Sequence, residues 1–379
     1  MSFPDAAELR NRPGVIFAAL TLVAVLGFAG VTRLTKRYHD QQKAVARRLY
    51  ARGLDDQKEG QFDNAISDFR AALSYDRDNF YYELSLARAL RDNGRMNEAE
   101  AYLVNLWERT PQDGFVNLAL GRLAARQSKI DKAIQYYHNA IYGVWPSNAE
   151  NNRRTAEFEL IAFLLRQGAQ SQAEAELIAV AATLPPDDVI LQTHVAQLLA
   201  QVGMHDRALA LFKKVLQEDR SSKPALDGAA NSAFELGHYR SAEGYLRRSL
   251  ALDPHNEQNR DLLETITLVL EMDPYDRRLS TVGRIRRLRA AFDVASKRLS
   301  VCLADKQGVP DTPWTALQAN WMQMKGKLSH LTDADAETFD AAMDLINQIE
   351  QHAQLDCGPP ARTDRALLLL SATRFGAER

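Results

Sequence analysis

The sequence predicts an all-α protein in three parts: a single N-terminal transmembrane helix, a solenoid of stacked helix pairs, and a short C-terminal three-helix bundle. Three observations carry this. A run of nineteen residues, Gly14 to Thr32, holds no charge. Alanine and bulky apolar residues then recur at a period of 34 residues from about Ala46 to Asn256. Beyond Pro274 the period is lost, and apolar residues recur at spacings of three and four. The abundance of alanine, leucine, arginine and glutamate agrees, since all four favour helix.

The N-terminal part divides into a tail (1–12), a span (13–33) and a linker helix (34–45). A helix rises about 1.5 Å per residue, so Gly14–Thr32 reaches roughly 28 Å, close to the apolar thickness of a bilayer. Arg10 and Arg12 flank it on one side, and Arg33, Lys36 and Arg37 on the other. Such a segment is a transmembrane helix or a signal peptide. Gly27-Phe28-Ala29 offers only a weak small-x-small cleavage site, and the apolar run is long for a signal core, so an uncleaved inner-membrane anchor is the expectation. The side is contested. Cationic residues are more numerous after the span (Arg33, Lys36, Arg37, Lys43, Arg47, Arg48), which retains the following domain in the cytoplasm. A cysteine pair near the C-terminus points narrowly the other way, to the exported, periplasmic side.

Six 34-residue units follow: 46–79, 80–113, 114–147, 154–187, 189–222 and 223–256. The eighth position is small in five of them (Gly53, Ala87, Gly121, Ala196, Ala230), with Ile161 the exception. The twentieth is always alanine: Ala65, Ala99, Ala133, Ala173, Ala208 and Ala242. The twenty-fourth is large and apolar: Phe69, Leu103, Tyr137, Leu177, Phe212 and Leu246. Two helices that cross closely need small residues at the contact, and a bulky one fills the wedge beside it. Glycine marks the turn within a unit at Gly60, Gly94, Gly168, Gly203 and Gly237, where left-handed backbone suits it. Proline closes units two, four and six at Pro111, Pro185 and Pro254. Residues 257–273 read as the capping helix that covers the last apolar face of a solenoid.

This pattern over residues 46–256 resembles the tetratricopeptide repeat family. It departs from the family in lacking tryptophan at the fourth position, in placing Trp145 where unit three would close, and in an insertion at about 147–153. The resemblance implies a protein-binding scaffold without catalytic function, since proteins of this type assist envelope assembly, cytochrome maturation or export. It also implies a concave face lined by the first helix of each unit. Carried onto this chain, the inward positions of units one to three hold Tyr50, Leu54, Tyr81, Leu84, Arg88, Arg91, Phe115, Leu118 and Arg122, with Arg126 beside them. That groove is aromatic and basic, suited to a protein or peptide ligand with acidic groups. Arg88 and Arg122, at equivalent positions of successive units, could grip one carboxylate from two sides. The alternative is that these arginines pair with neighbouring Asp92 or Glu83. Units four to six offer the more neutral Phe158, Ala162, Ile190, Gln197, Asn231 and Phe234.

In the C-terminal region (274–379) three stripes define three amphipathic helices: Ile285 to Cys302, Trp314 to Leu331, and Phe339 to Ala353. A last apolar segment, Ala366–Leu370, is expected to pack on them. An up-down-up bundle brings together the ends of its first and third helices, and with them Cys302 and Cys357, so these form a candidate disulfide. Six arginines between Arg277 and Arg289 read as a solvated helix face rather than a lipid or nucleic-acid site.

Net charge of −2 gives no general affinity for polyanions, and no nucleic-acid partner is expected. Two cysteines cannot complete a zinc site, and the eight histidines are scattered. No phosphate loop, nucleophile elbow or H-E-x-x-H occurs. No cofactor and no metal are expected, and the chain reads as no enzyme. Two alternatives to the scaffold stand: a holdase for exported clients, and an enzyme using the repeats as a recognition arm.

Overall fold

The computed structural model describes residues 13–276, 278–305, 313–332 and 335–376. Among them are seventeen helices and no strand. The chain divides into two compact units between Ala169 and Gln170.

In the first unit, α1 runs unbroken from Pro13 to Lys58, 46 residues, or about 69 Å. The boundaries expected near residues 33 and 45 are both missing. Between Thr32 and Gly53 the chain holds no glycine or proline, so nothing interrupts helix propagation from the apolar span into the first repeat. Thr21 and Thr32 satisfy their hydroxyls on the helix itself, donating to Phe17 O (2.8 Å) and Phe28 O (2.7 Å). The described side chains before Ala46 are mostly exposed, and Ala46 is the first that is fully buried. By length and composition α1 can cross a membrane.

The hairpins of this unit pair α1 with α2 (Phe62–Tyr75), α3 (Phe80–Asp92) with α4 (Met96–Arg109), and α5 (Gly114–Arg126) with α6 (Ile130–Ile141). All six alanines at the twentieth position, in both units, are completely buried. The eighth and twenty-fourth positions meet as their sizes require. A Cβ on Gly53 would lie 2.7 Å from the Phe69 ring, and one on Gly121 would lie 3.3 Å from Tyr137. The turn glycines have φ between +71° and +84°, and unit three reaches the same left-handed geometry with Ser128 (φ 57°). α7 (Ala149–Arg166) starts within the insertion and lengthens the first helix of unit four.

The tryptophan absent from the fourth position has substitutes. Asn117 is fully buried there and donates to Pro111 O (2.8 Å) and Asp113 O (2.9 Å). Gln192 does the same for Pro185 O (2.7 Å) and Pro186 O (2.9 Å). Each amide ties the closing proline segment to the next helix. Trp145 closes unit three instead, donating to Ala140 O (2.9 Å) and meeting the Phe115 ring edge-on at 4.9 Å.

The second unit holds α8 (Gln170–Ala182), α9 (Val189–Gln201), α10 (His205–Glu218), α11 (Lys223–Glu235), α12 (Tyr239–Leu252) and the cap α13 (Glu257–Met272). α13 is N-capped by Asn256 and stops before Asp273-Pro274. Among the described residues the C-terminal region contains four helices rather than the expected three: α14 (Thr281–Asp305), α15 (Pro313–Ser329), α16 (Ala336–Asp356) and α17 (Arg362–Gly376). The fourth grows from the Ala366–Leu370 segment and packs on α13, α14 and α16. Tyr239 Oη donates to Leu369 O (3.2 Å), fastening it to the sixth repeat as well.

The arginine run is only in part a solvated face. Arg287 donates to Leu270 O (2.5 Å) and Asp273 O (3.1 Å), capping α13. Arg289 donates to Leu328 O and Leu331 O, capping α15. Arg284 holds Pro274 O (3.1 Å). Arg286 is exposed, and Arg277 lies outside the described residues. Orphan carbonyls at helix ends need donors, and a guanidinium offers five.

Candidate functional site

The repeat slots put arginine near the C-terminal end of three successive first helices. Arg91 ends α3, Arg122 and Arg126 lie on the last turns of α5, and Arg166 ends α7. These four, with Ala125, Tyr137, Phe163 and Gln167, line an open depression of about 500 Å³. Each guanidinium extends where its helix presents unpaired carbonyls, a position that favours cations.

Two carboxylates reach three of the four cations. Asp92 pairs with both Arg91 (2.9 Å) and Arg126 (3.1 Å). Glu159, from the following repeat, takes Arg122 in a two-pronged pair at 2.8 and 2.5 Å. Arg166 is exposed and makes no ion pair among the described residues. Nη1 of Arg91 is buried with no hydrogen-bond partner among them. Burial, then the nearby Glu159, push the Tyr137 phenol up to about 12, so it remains a neutral donor. The site is therefore a cationic recess with an aromatic floor, two charges in excess.

A profile of the tetratricopeptide repeat matches residues 57–123 and 199–266. Both segments are tetratricopeptide repeats. No curated protein matches its sequence. Among solved structures, the C-terminal part of a TPR repeat-containing protein from Cytophaga hutchinsonii is 15% identical, spanning 65% of this chain and 98% of that one with a TM-score of 0.45. A structure of Pseudomonas aeruginosa pilF is 15% identical over 59% of this chain and 99% of that one, with a TM-score of 0.40. YrrB, described as a TPR protein with an unusual peptide-binding site, is 17% identical over 52% of this chain and 97% of that one, with a TM-score of 0.39.

Within this tetratricopeptide array the expected groove residues separate into three groups. Arg91, Arg122 and Arg126 come together in the recess. Tyr81 is exposed, its ring edge-on to Phe80. Tyr50, Arg88 and Phe115 are turned into packing. Tyr50 lies against Phe69 (5.6 Å) and Tyr82 (4.6 Å) and shares a hydrogen bond with Ser85. Arg88 lies over the Phe115 ring at 5.9 Å, with Nε buried and unpartnered among the described residues. Desolvation, then repulsion from Arg122 and Arg91, lower the Arg88 pKa to about 10.

Arg88 and Arg122 share no carboxylate of the chain among the described residues: Arg88 lies over Phe115 and Arg122 is taken by Glu159. Where cations converge, the stronger attraction is to a carboxylate, and Glu159 supplies one to Arg122. Glu83 pairs instead with Arg109. The inward positions of the family pattern do not single out Arg166, Glu159, Tyr137 and Phe163, which the fold adds to the site. Arg166 occupies the thirteenth position of unit four, equivalent to Arg126 in unit three; following that slot from unit to unit finds it.

The remaining candidates are Cys302 and Cys357. They are joined as a disulfide across 55 residues, with Cα atoms 5.5 Å apart. It ties the end of α14 to the end of α16. Among the described residues no group of three or more His, Cys, Asp or Glu side chains could hold a metal ion.

Proposed function

We propose that this protein is a single-pass, non-catalytic scaffold of the inner membrane whose first-unit recess captures an acidic segment of a partner protein during assembly of an envelope complex. The observation that carries this is the excess of arginine over carboxylate in an open, aromatic-floored recess within an array of protein-binding repeats. An incoming carboxylate would meet Arg166 without displacing an internal partner and could draw Arg126 from the shared Asp92. Charge-assisted, two-pronged contacts of this kind are strong and directional. A hydrophobic residue beside the acid would rest on Tyr137 and Phe163. The continuous α1 supports the anchor. The Cys302–Cys357 pair supports an exported location, since disulfides persist in oxidising compartments.

The test is binding of fluorescent peptides, acidic against charge-neutral, to the purified full chain. Arg166→Glu is expected to weaken an acidic peptide by at least about tenfold, the loss of one charge-assisted contact, while leaving the melting temperature unchanged. Equal binding of acidic and neutral peptides, unaffected by the substitution, would instead favour a holdase that recognises exposed apolar chain.

A further inference from the structure

The continuity of α1 exposes a feature that a separate span and linker would hide. Beyond the apolar run, Val31, Leu34, Tyr38 and Val45 follow spacings of three, four and seven, with Gln41 completing the pattern. All four apolar side chains are exposed, from 39% at Val45 to 70% at Leu34. At 100° per residue they share one face. Arg33, Lys36, Asp40, Lys43 and Arg47 lie about 130–170° around the axis from it. The first-repeat contacts begin at Ala46, beyond this stripe, which is left exposed among the described residues. Traced back into the span, the same register passes through Gly27, Ala24, Leu20 and Phe17. A Cβ on Gly27 would meet nothing within 4 Å, so another backbone can approach closely there.

We propose that this stripe is the seam of a parallel homodimer, formed with α1 of a second copy of this chain. A three-four spacing with charges excluded from the seam is the pattern of a two-stranded coiled coil. Parallel pairing follows from the anchor. Every copy leaves the same membrane on the same side, and an unbroken helix holds Leu34, Tyr38 and Val45 at equal heights in each. Self-pairing therefore places each seam residue opposite its own equivalent, the self-complementary arrangement of a two-fold interface. Gln41 would face Gln41 of the other copy, one polar layer that fixes register. A stalk lying flat on lipid headgroups would need a bend between span and stalk, and α1 has none. The dimer would also present two arginine recesses to a partner, which raises effective affinity without any new contact in either recess.

This inference rests on the span being retained as an anchor. The test is cysteine crosslinking of the full chain in membranes. Single substitutions Leu34→Cys, Tyr38→Cys and Val45→Cys are compared with Lys36→Cys, Asp40→Cys and Lys43→Cys, the native cysteines being already paired. Seam positions are expected to give a disulfide-linked species of twice the chain mass about tenfold more efficiently than the opposite face, as coiled-coil geometry dictates. Adding Leu34→Glu and Tyr38→Glu should abolish the Val45→Cys crosslink without unfolding the repeats, because both side chains are exposed. Equal crosslinking on both faces, none on either, or adducts with a protein of another mass would overturn self-pairing. Intact mass separates this from failure of the anchor. A chain shortened near Gly30 removes anchor and dimer together, whereas a full-length chain that fails the crosslinking pattern removes the dimer alone.

Discussion

Arginine is used differently in the repeats of the first unit and in the C-terminal helices of the second. In the repeats, Arg122 and Arg126 face carboxylates at a half-exposed recess, Arg126 also donating to Arg91 O (3.0 Å), and Arg166 faces solvent. In the C-terminal helices, Arg287, Arg289 and Arg298 are consumed by main-chain carbonyls. Arg298 is the extreme case. It donates to Gly358 O (2.6 Å), Ala353 O and Pro359 O (both 3.3 Å), and lies 3.8 Å from Asp364 in a largely buried setting. The lesson is that a cationic cluster in a sequence does not by itself mark a binding surface. What separates the two roles is how much of each guanidinium is taken up by main-chain carbonyls and how much is left to side chains or solvent.

The largest expected difference is in stability. Arg298→Ala should cost about 3 kcal/mol or more, because it removes the cationic partner of the largely buried Asp364 together with three hydrogen bonds to main-chain carbonyls. Arg122→Ala should cost less than about 1 kcal/mol, the usual worth of a solvent-accessible ion pair. Urea unfolding of the two variants decides the matter, and equal losses would erase the distinction.

A second effect depends on pH. Both oxygens of Glu350 are buried without hydrogen-bond partners among the described residues. Burial first, then the nearby Asp364, push its carboxyl up to about 8, against the opposing pull of Arg298. A carboxyl whose folded pKa is raised binds more protons folded than unfolded, so its contribution to stability is present below the unfolded value near 4.5 and is lost as pH rises toward 8. Stability of the second unit should therefore fall by about 2 kcal/mol between pH 5 and pH 7. Glu350→Gln should flatten that slope. A slope unchanged in the variant would show that another group carries it.

The smallest expected effect is on the paired recess. Glu159→Gln frees Arg122 and should tighten an acidic peptide by about threefold, or roughly 0.6 kcal/mol, with little change in melting temperature. Weaker binding would mean that Glu159 positions Arg122 for the ligand rather than competing with it.

Much of the architecture is legible in the order of the residues. The small, alanine and bulky slots are local demands of one helix crossing another, repeated at a fixed period, and each places its residue in the core. The heptad-like stripes from Ile285 to Cys302 and from Phe339 to Ala353 are legible for the same reason. Boundaries are harder to read: a change from apolar to charged residues alters what surrounds a helix without ending it, so α1 passes through two expected divisions.

Period and composition alone determined that this chain is helical, where its hairpins turn, and which side chains meet within a repeat, because those contacts lie within one turn or one hairpin of each other. The tertiary structure decided which partner each arginine takes. Glu159 reaches Arg122 across 37 residues, and Arg298 finds the loop around Gly358 across 60. Such pairings depend on the angle at which separate helices pack and on the carbonyls their ends leave free, and neither is written in the spacing of residues along one helix.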